Sequence, residues 1–280
     1  IFTAIAAFVR PGDEVIVFEP VYDSYVPAIE TVGGKAVYAQ LQFPDYAPDW
    51  AQVATLITPK TRMIIVNSPH NPTGSLLTAV DLEKLAELVR GTDIVVLSDE
   101  VYEHILFDGE RHASVCGHAE LAPRSIVVSS FGKTYHITGW KIGYVVGPAA
   151  LMAEFRKVHQ FNVFTVHTPS QLALADYMQD ASRHLGLAAF YQEKRDFFRN
   201  LMAATPFELL PCRGTYFQLA RYKAISDQPD RAFAEWMTRE VGVAVIPVSV
   251  FCADGRDDKV VRFCFAKKEE TLVAAGERLR

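Results

Sequence analysis

Short uninterrupted apolar runs alternate along this chain with longer segments in which apolar residues recur every three or four positions. The runs Glu14 to Phe18, Met63 to Asn67, Ile94 to Ser98 and Ser125 to Ser129 read as strands, and Tyr22 to Val32 and Thr78 to Arg90 read as helices between them. Gly33-Gly34 and Gly91 follow those two helices, and Pro11-Gly12-Asp13 makes a turn before the first strand. Strands without polar alternation, separated by amphipathic helices, predict a mainly parallel sheet covered by helices on both faces. From Ala149 to Asn200 the pattern is helical, interrupted at Pro169. Short strands from Thr215 to Leu219 and Val261 to Phe265 then alternate with helices around Asp230 to Glu240 and Glu269 to Leu279. The expected fold class is α/β, with residues 1–150 forming a large domain and 151–280 supplying connector helices and a smaller C-terminal α+β domain.

The opening, Ile1 to Val15, carries apolar residues at helical spacing with no cap, as though a helix were entered partway; the chain is expected to lack its natural N-terminus. With 280 residues, half of them hydrophobic, it is long enough to bury a sizeable core. A net charge of −5 with both signs scattered gives no basic field for a nucleic-acid backbone. Cys116, Cys212, Cys252 and Cys264 have neither paired nor metal-ligand spacing and suit free thiols in a reducing, cytoplasmic setting. No apolar run is long enough to span a bilayer. These features predict no nucleic-acid partner, no membrane and no metal.

Each strand of the first half runs into polar residues: Glu19-Pro20 and Tyr22, Asn67 to Gly74, Asp99 to Tyr102, and Ser130 to Lys133. Ligands of open α/β sheets bind at the carboxyl ends of strands, so these loops are expected to converge on one site. Lys133 lies in a short polar loop, where its reading is open. It suits a surface lysine, the lysine of a Ser-x-x-Lys acyl-transfer motif with Ser130, or a Schiff-base lysine with Lys141 as a cationic neighbour. The acyl-transfer reading also requires S-D-N and K-T-G, for which the chain has only Ser98-Asp99-Glu100 and Lys133-Thr134-Tyr135. Ser130 and Lys141 would supply donors to a phosphate, and Asp99 an acidic partner for a pyridine nitrogen.

Taken in order, Asn67-Ser68-Pro69-His70-Asn71-Pro72-Thr73-Gly74, Ser98-Asp99-Glu100-Val101-Tyr102, Ser130-Phe131-Gly132-Lys133-Thr134-Tyr135-His136 with Gly139-Trp140-Lys141, and Val261-Arg262-Phe263-Cys264-Phe265 resemble the class I/II aminotransferases of pyridoxal-phosphate fold type I. The resemblance spans essentially the whole chain and is most marked to bacterial methionine aminotransferases and kynurenine/glutamine aminotransferases. It implies pyridoxal 5′-phosphate as cofactor, bound through Lys133, which would also carry the substrate's α-proton. Asp99 would pair with the pyridine nitrogen, Asn71 and Tyr102 would bond the phenolic oxygen, Tyr22 would stack on the ring, and Ser130 and Lys141 would hold the phosphate. Arg262, with Asn71, would grip the substrate carboxylate through a bidentate fork. The loop glycines are expected to let the backbone approach ring and phosphate. A homodimer acting on amino-acid and 2-oxo-acid substrates follows from the same resemblance, as does weak cofactor retention if a phosphate-binding turn ahead of Ile1 is missing.

Two rival activities share these residues: a carbon–sulfur β-lyase of the same fold, and a non-catalytic ligand-binding module of a transcription regulator. His104 and His112 lack a third ligand at suitable spacing. The aromatic group Phe155, His159, Phe161 and Phe164 reads as core or pocket wall.

Overall fold

The computed structural model describes residues 1–280. Its elements run, in chain order, α1 (Phe2–Phe8), β1 (Glu14–Glu19), α2 (Tyr25–Thr31), β2 (Lys35–Gln42), β3 (Ala47–Pro48), α3 (Trp50–Leu56), β4 (Thr61–Asn67), α4 (Ala79–Val89), β5 (Val95–Asp99), β6 (Ser125–Ser130), α5 (Phe131–Thr134) and β7 (Gly143–Val146). The second half contributes α6 (Ala149–Asn162), α7 (Thr168–Tyr177), α8 (Ser182–Leu185), α9 (Leu187–Met202), β8 (Glu208–Leu209), β9 (Phe217–Arg221), α10 (Asp230–Trp236), β10 (Ile246–Pro247), β11 (Val260–Cys264) and α11 (Glu269–Leu279).

Seven strands form one sheet in the order β3-β2-β1-β4-β5-β6-β7, and four form a second in the order β10-β11-β9-β8. Pairings among β2, β1, β4, β5 and β6 are parallel, while β3 and β7 close the large sheet antiparallel. The continuous apolar runs have a direct cause: alternate residues bury into different cores. Ile16, Ile64, Val66, Val96 and Val127 pack with Val53 of α3 and Leu82, Leu85, Ala86 and Val89 of α4. Their neighbours Val15, Val17, Met63, Ile65, Val95, Leu97, Ile126 and Val128 pack with α1, α2 and Phe155 of α6. Helix α4 follows the same logic, with buried residues at helical spacing behind a Thr78–Asp81 capping box.

A third core joins the halves. Tyr102, Ile105 and Phe107, from the loop after β5, pack with Tyr191, Phe198 and Met202 of α9 and with Phe217, Phe233, Val261 and Phe263. Arg195 of α9 lies buried in this stripe because both its terminal nitrogens bond the Asp108 carboxylate, at 2.6 and 2.7 Å, and Nη1 also donates to Cys212 O at 3.0 Å. At the other side Glu19 accepts Ala253 N–H and Gln40 Nε2, each at 2.5 Å, and Val21 N donates to Phe251 O at 2.7 Å. These contacts set the small sheet's strand β11 against the carboxyl ends of the large one.

Three local expectations differ from the structure. Pro169 stands in the first turn of α7 instead of breaking a helix, where its missing N–H costs nothing. The strand from Thr215 begins at Phe217, since Thr215 has φ of 68°. Of the aromatic group on and just after α6, Phe155 is buried against His159, whereas Phe161 and Phe164 are 86% and 84% exposed and belong to no core. All four cysteines are free thiols, and no helix is long and apolar enough to cross a membrane.

Candidate active site

The order of the large sheet reverses between β1 and β4, and the loops leaving β1, β4, β5 and β6 open there onto a cavity of about 400 Å³. Tyr22, Asn71, Asp99, Tyr102, Ser130, Lys133 and Lys141 all line it. Arg262 reaches the same place from β11 by donating from Nη1 to Asn71 Oδ1 at 2.6 Å. All eight residues singled out by sequence therefore meet at one location.

Asp99 ends β5 and is buried. Burial raises its pKa above the ordinary carboxylate value, a rise opposed by hydrogen bonds from Tyr25 Oη to Oδ2 at 2.7 Å and from Val101 N to Oδ1 at 3.2 Å. The Tyr25 phenol is in turn pushed well up by burial and by the adjoining carboxylate. A cationic N–H placed in the cavity would relieve the cost of keeping Asp99 ionised.

Asn67, at the end of β4, connects the loops: Nδ2 donates to Asp99 O at 2.9 Å, and Oδ1 accepts Asn71 N at 2.8 Å. Asn71 Oδ1 then accepts from Arg262, so a hydrogen-bonded chain runs from β5 through β4 to β11. The Arg262 guanidinium sits 4.0 Å from the ring centre of Phe217 and 5.2 Å from that of Phe251. Burial lowers its pKa from the usual guanidinium value, and Tyr102 beside it works the other way.

Lys133 projects from the one-turn helix α5, whose N-cap Ser130 accepts Gly132 N at 3.1 Å. Its Nζ donates to Tyr216 Oη at 2.9 Å and has no carboxylate partner. Tyr216 packs edge-on against Tyr102, whose phenol is raised by burial and by this neighbour. Lys141 follows a 3-10 turn with φ of 56° and is exposed at the cavity's edge. Tyr22 is half-buried and lies edge-on to Tyr25, with ring centres 5.4 Å apart.

Of the loop glycines, Gly132 closes the loop's own backbone. A Cβ on Gly132 would come within 2.8 Å of Thr138 Cα, and Gly132 O accepts both Ile137 N and Thr138 Oγ1. A Cβ on Gly139 would meet open space. Gly143, the third glycine of the stretch, lines the cavity and has no room for a side chain, because a Cβ there would clash with Ser129 O.

Tyr25, Asn67, Phe217 and Tyr216 also belong to the site, and sequence reasoning assigned them no role. Tyr25 is three residues from Tyr22, a spacing that puts both on one side of a turn. Nothing local marks Tyr216, because tertiary contacts alone bring it to Lys133. His112 Nε2 lies 2.7 Å from Glu100 Oε2, outside the cavity, and no group of three or more His, Cys, Asp or Glu is arranged to hold a metal ion.

The family model described as "Aminotransferase class I and II" matches residues 1–279. Methionine aminotransferase of Escherichia coli is 52% identical over 281 residues, covering 100% of this chain and 73% of the relative. Kynurenine–oxoglutarate transaminase 1 of Rattus norvegicus is 34% identical over 314 residues, covering 100% and 74%. A crystal structure from Escherichia coli, described as identifying a methionine aminotransferase function, superposes with a TM-score of 0.97 at 51% identity, again over 100% of this chain and 73% of the other.

Proposed function

Since the chain belongs to the class I and II aminotransferases, enzymes that use pyridoxal 5′-phosphate to move amino groups between amino acids and 2-oxo acids, we propose a role for each residue around its cavity and a class of donor. The observation that carries the assignment is the convergence of Lys133, Asp99 and the Arg262–Asn71 pair on one cavity large enough for a small cofactor and substrate. The donor set suits the cofactor: an amine without a carboxylate partner, a buried carboxylate relieved by a cationic N–H, and Ser130 with Lys141 for a phosphate.

When bound, the cofactor supplies covalent attachment of the amino group and an electron sink for the substrate's α-carbon. The chain does the rest by positioning and electrostatics. Asp99, held in place by Tyr25, would keep a proton on the pyridine nitrogen. Asn71 and Tyr102 would bond the phenolic oxygen, Tyr22 would stack on the ring, and Ser130 and Lys141 would hold the phosphate. Arg262 takes the α-carboxylate, its plane kept by Phe217 and Phe251. Lys133 Nζ would anchor the cofactor between turnovers. Once free, it would take the donor's α-proton and hand it to the cofactor's former aldehyde carbon, and in the other half-cycle it would carry a proton back from that carbon to the new amino acid's α-carbon.

The cavity wall includes Val101, Val128, Ile142 and Phe217, and its cations Lys133 and Lys141 already have work to do. This favours a donor with an uncharged side chain, methionine first and aromatic or kynurenine-like amino acids next, in keeping with the named relatives. The relatives also favour transamination over the lyase and regulator readings. A panel of donors tested with one common 2-oxo acid should give methionine or an aromatic amino acid the highest kcat/KM; a clear preference for aspartate or glutamate would overturn the donor assignment.

Residues 1–150 form the cofactor-binding large domain and 151–280 the connector and small domain, a division supported by the separate seven- and four-stranded sheets. The functional unit is a homodimer in the cytoplasm. Phe161, Phe164, Leu172 and Leu185, between 66% and 86% exposed, leave an apolar stretch along α6 to α8 that a second copy would cover. Sedimentation should give twice the chain mass at micromolar concentration, and a monomer there would count against the dimer.

A further inference from the structure

Thr215 has φ of 68° although it is β-branched, and it is completely buried. L-residues with a branched Cβ rarely adopt this conformation, so the surrounding structure must hold it. Several bonds do so: Thr215 N donates to Ile105 O at 3.0 Å, Phe217 N donates to Thr215 Oγ1 at 3.2 Å, and Arg213 N and Gly214 N both donate to Gly74 O at 3.0 Å. Gly214 admits no side chain, since a Cβ there would lie 2.8 Å from Pro69 Cβ and 2.9 Å from Ile105 O. The turn before β9 is thereby clamped between the Asn71 loop and the loop after β5.

What this strained turn aims is the Tyr216 side chain. Its ring packs against Phe217, Tyr102 and Tyr191, with centres 4.7, 5.3 and 5.7 Å away, and its hydroxyl meets Lys133 Nζ. The amine bonds the oxygen and does not sit close over the ring, whose centre is 5.6 Å distant. Tyr191 makes a second tie to the lysine loop through Oη and His136 Nδ1 at 3.3 Å. A lysine side chain has many rotamers, and a misplaced base loses rate steeply.

We propose that Tyr216 is the positioning residue of Lys133: its oxygen accepts a hydrogen bond from Nζ and fixes the freed amine where it exchanges the substrate's α-proton, with Thr215 as the rigid mount. This rests on the reading of Lys133 as the proton carrier. In one half-cycle Nζ would take the proton from the donor's α-carbon and pass it to the cofactor's former aldehyde carbon; in the other it would carry a proton back from that carbon to the α-carbon of the new amino acid. Tyr216 gains and loses no proton in either direction.

Tyr216→Phe removes one oxygen and keeps the ring packing. In the holoenzyme, kcat should fall about tenfold to a hundredfold while the donor KM stays nearly constant, and the primary isotope effect with an α-deuterated donor should rise. In the cofactor-free protein, acetylation of Lys133 followed by peptide mass spectrometry should proceed several times faster than in wild type, because the amine is no longer held. An isotope effect and a labelling rate both equal to wild type would overturn the proposal, whatever happens to Tm. If Lys133→Ala turns over normally, the proton-carrier reading itself fails. If Lys133→Ala is inactive and Tyr216→Phe is unchanged in both readouts, only the positioning role fails.

Discussion

Lys133→Ala is expected to lower turnover by at least about a hundredfold to ten-thousandfold, the range that one positioned general acid–base contributes. It should also remove the visible absorbance of the lysine-bound cofactor. The fold should survive, because Lys133 is only half-buried, lies on a single helical turn and anchors no core. Lys141, exposed at the cavity edge beyond the turn at Thr138 to Trp140, is not placed to replace it. Small primary amines added to the variant should restore part of the rate by supplying a base in the space that Nζ leaves. Undiminished turnover by Lys133→Ala would end the assignment of Lys133.

Asp99→Asn should move activity and stability in opposite directions. Turnover should fall about a hundredfold to a thousandfold, the effect of removing one preorganised electrostatic partner, and cofactor retention should weaken. The cofactor-free variant should nonetheless melt above cofactor-free wild type at neutral pH. Burial raises the pKa of Asp99 in the folded protein above its unfolded value, so the folded state holds the proton more tightly. The stability tied to that proton is fully present below the ordinary carboxylate pKa and is lost as pH rises through the raised value. The advantage of Asn should therefore be largest near neutrality, shrink as pH falls through the raised value, and be gone below about 4. Tyr25 can still donate to the amide oxygen, which retains its bond. A variant that melts below wild type across the whole pH range would show that Asp99 stabilises the fold by another route.

Much of the fold and of the candidate site is legible in the sequence alone. A parallel strand buried on both faces must be apolar throughout, so β1, β4, β5 and β6 announce themselves as unbroken runs, and the polar residues that end them mark the ligand side of the sheet. That rule places Lys133, Asp99, Asn71 and Tyr22 in the loops at one end of the sheet, while their roles come from the resemblance to the aminotransferases. The edge strand β2 and the short helix α3 carried weaker patterns, because their burial is partial and alternation is imperfect.

The amino-acid order by itself determined the α/β class and which polar side chains stand next to the strand ends, since both depend on local periodicity. Tertiary structure alone decided which groups touch across the two sheets: Arg262 on Asn71, Tyr25 on Asp99, and Tyr216 on Lys133. Tyr216 lies 83 residues from Lys133, and its direction is set by a left-handed Thr215 that no local preference would choose. Only packing among distant segments can hold that conformation, and so only the folded chain reveals it.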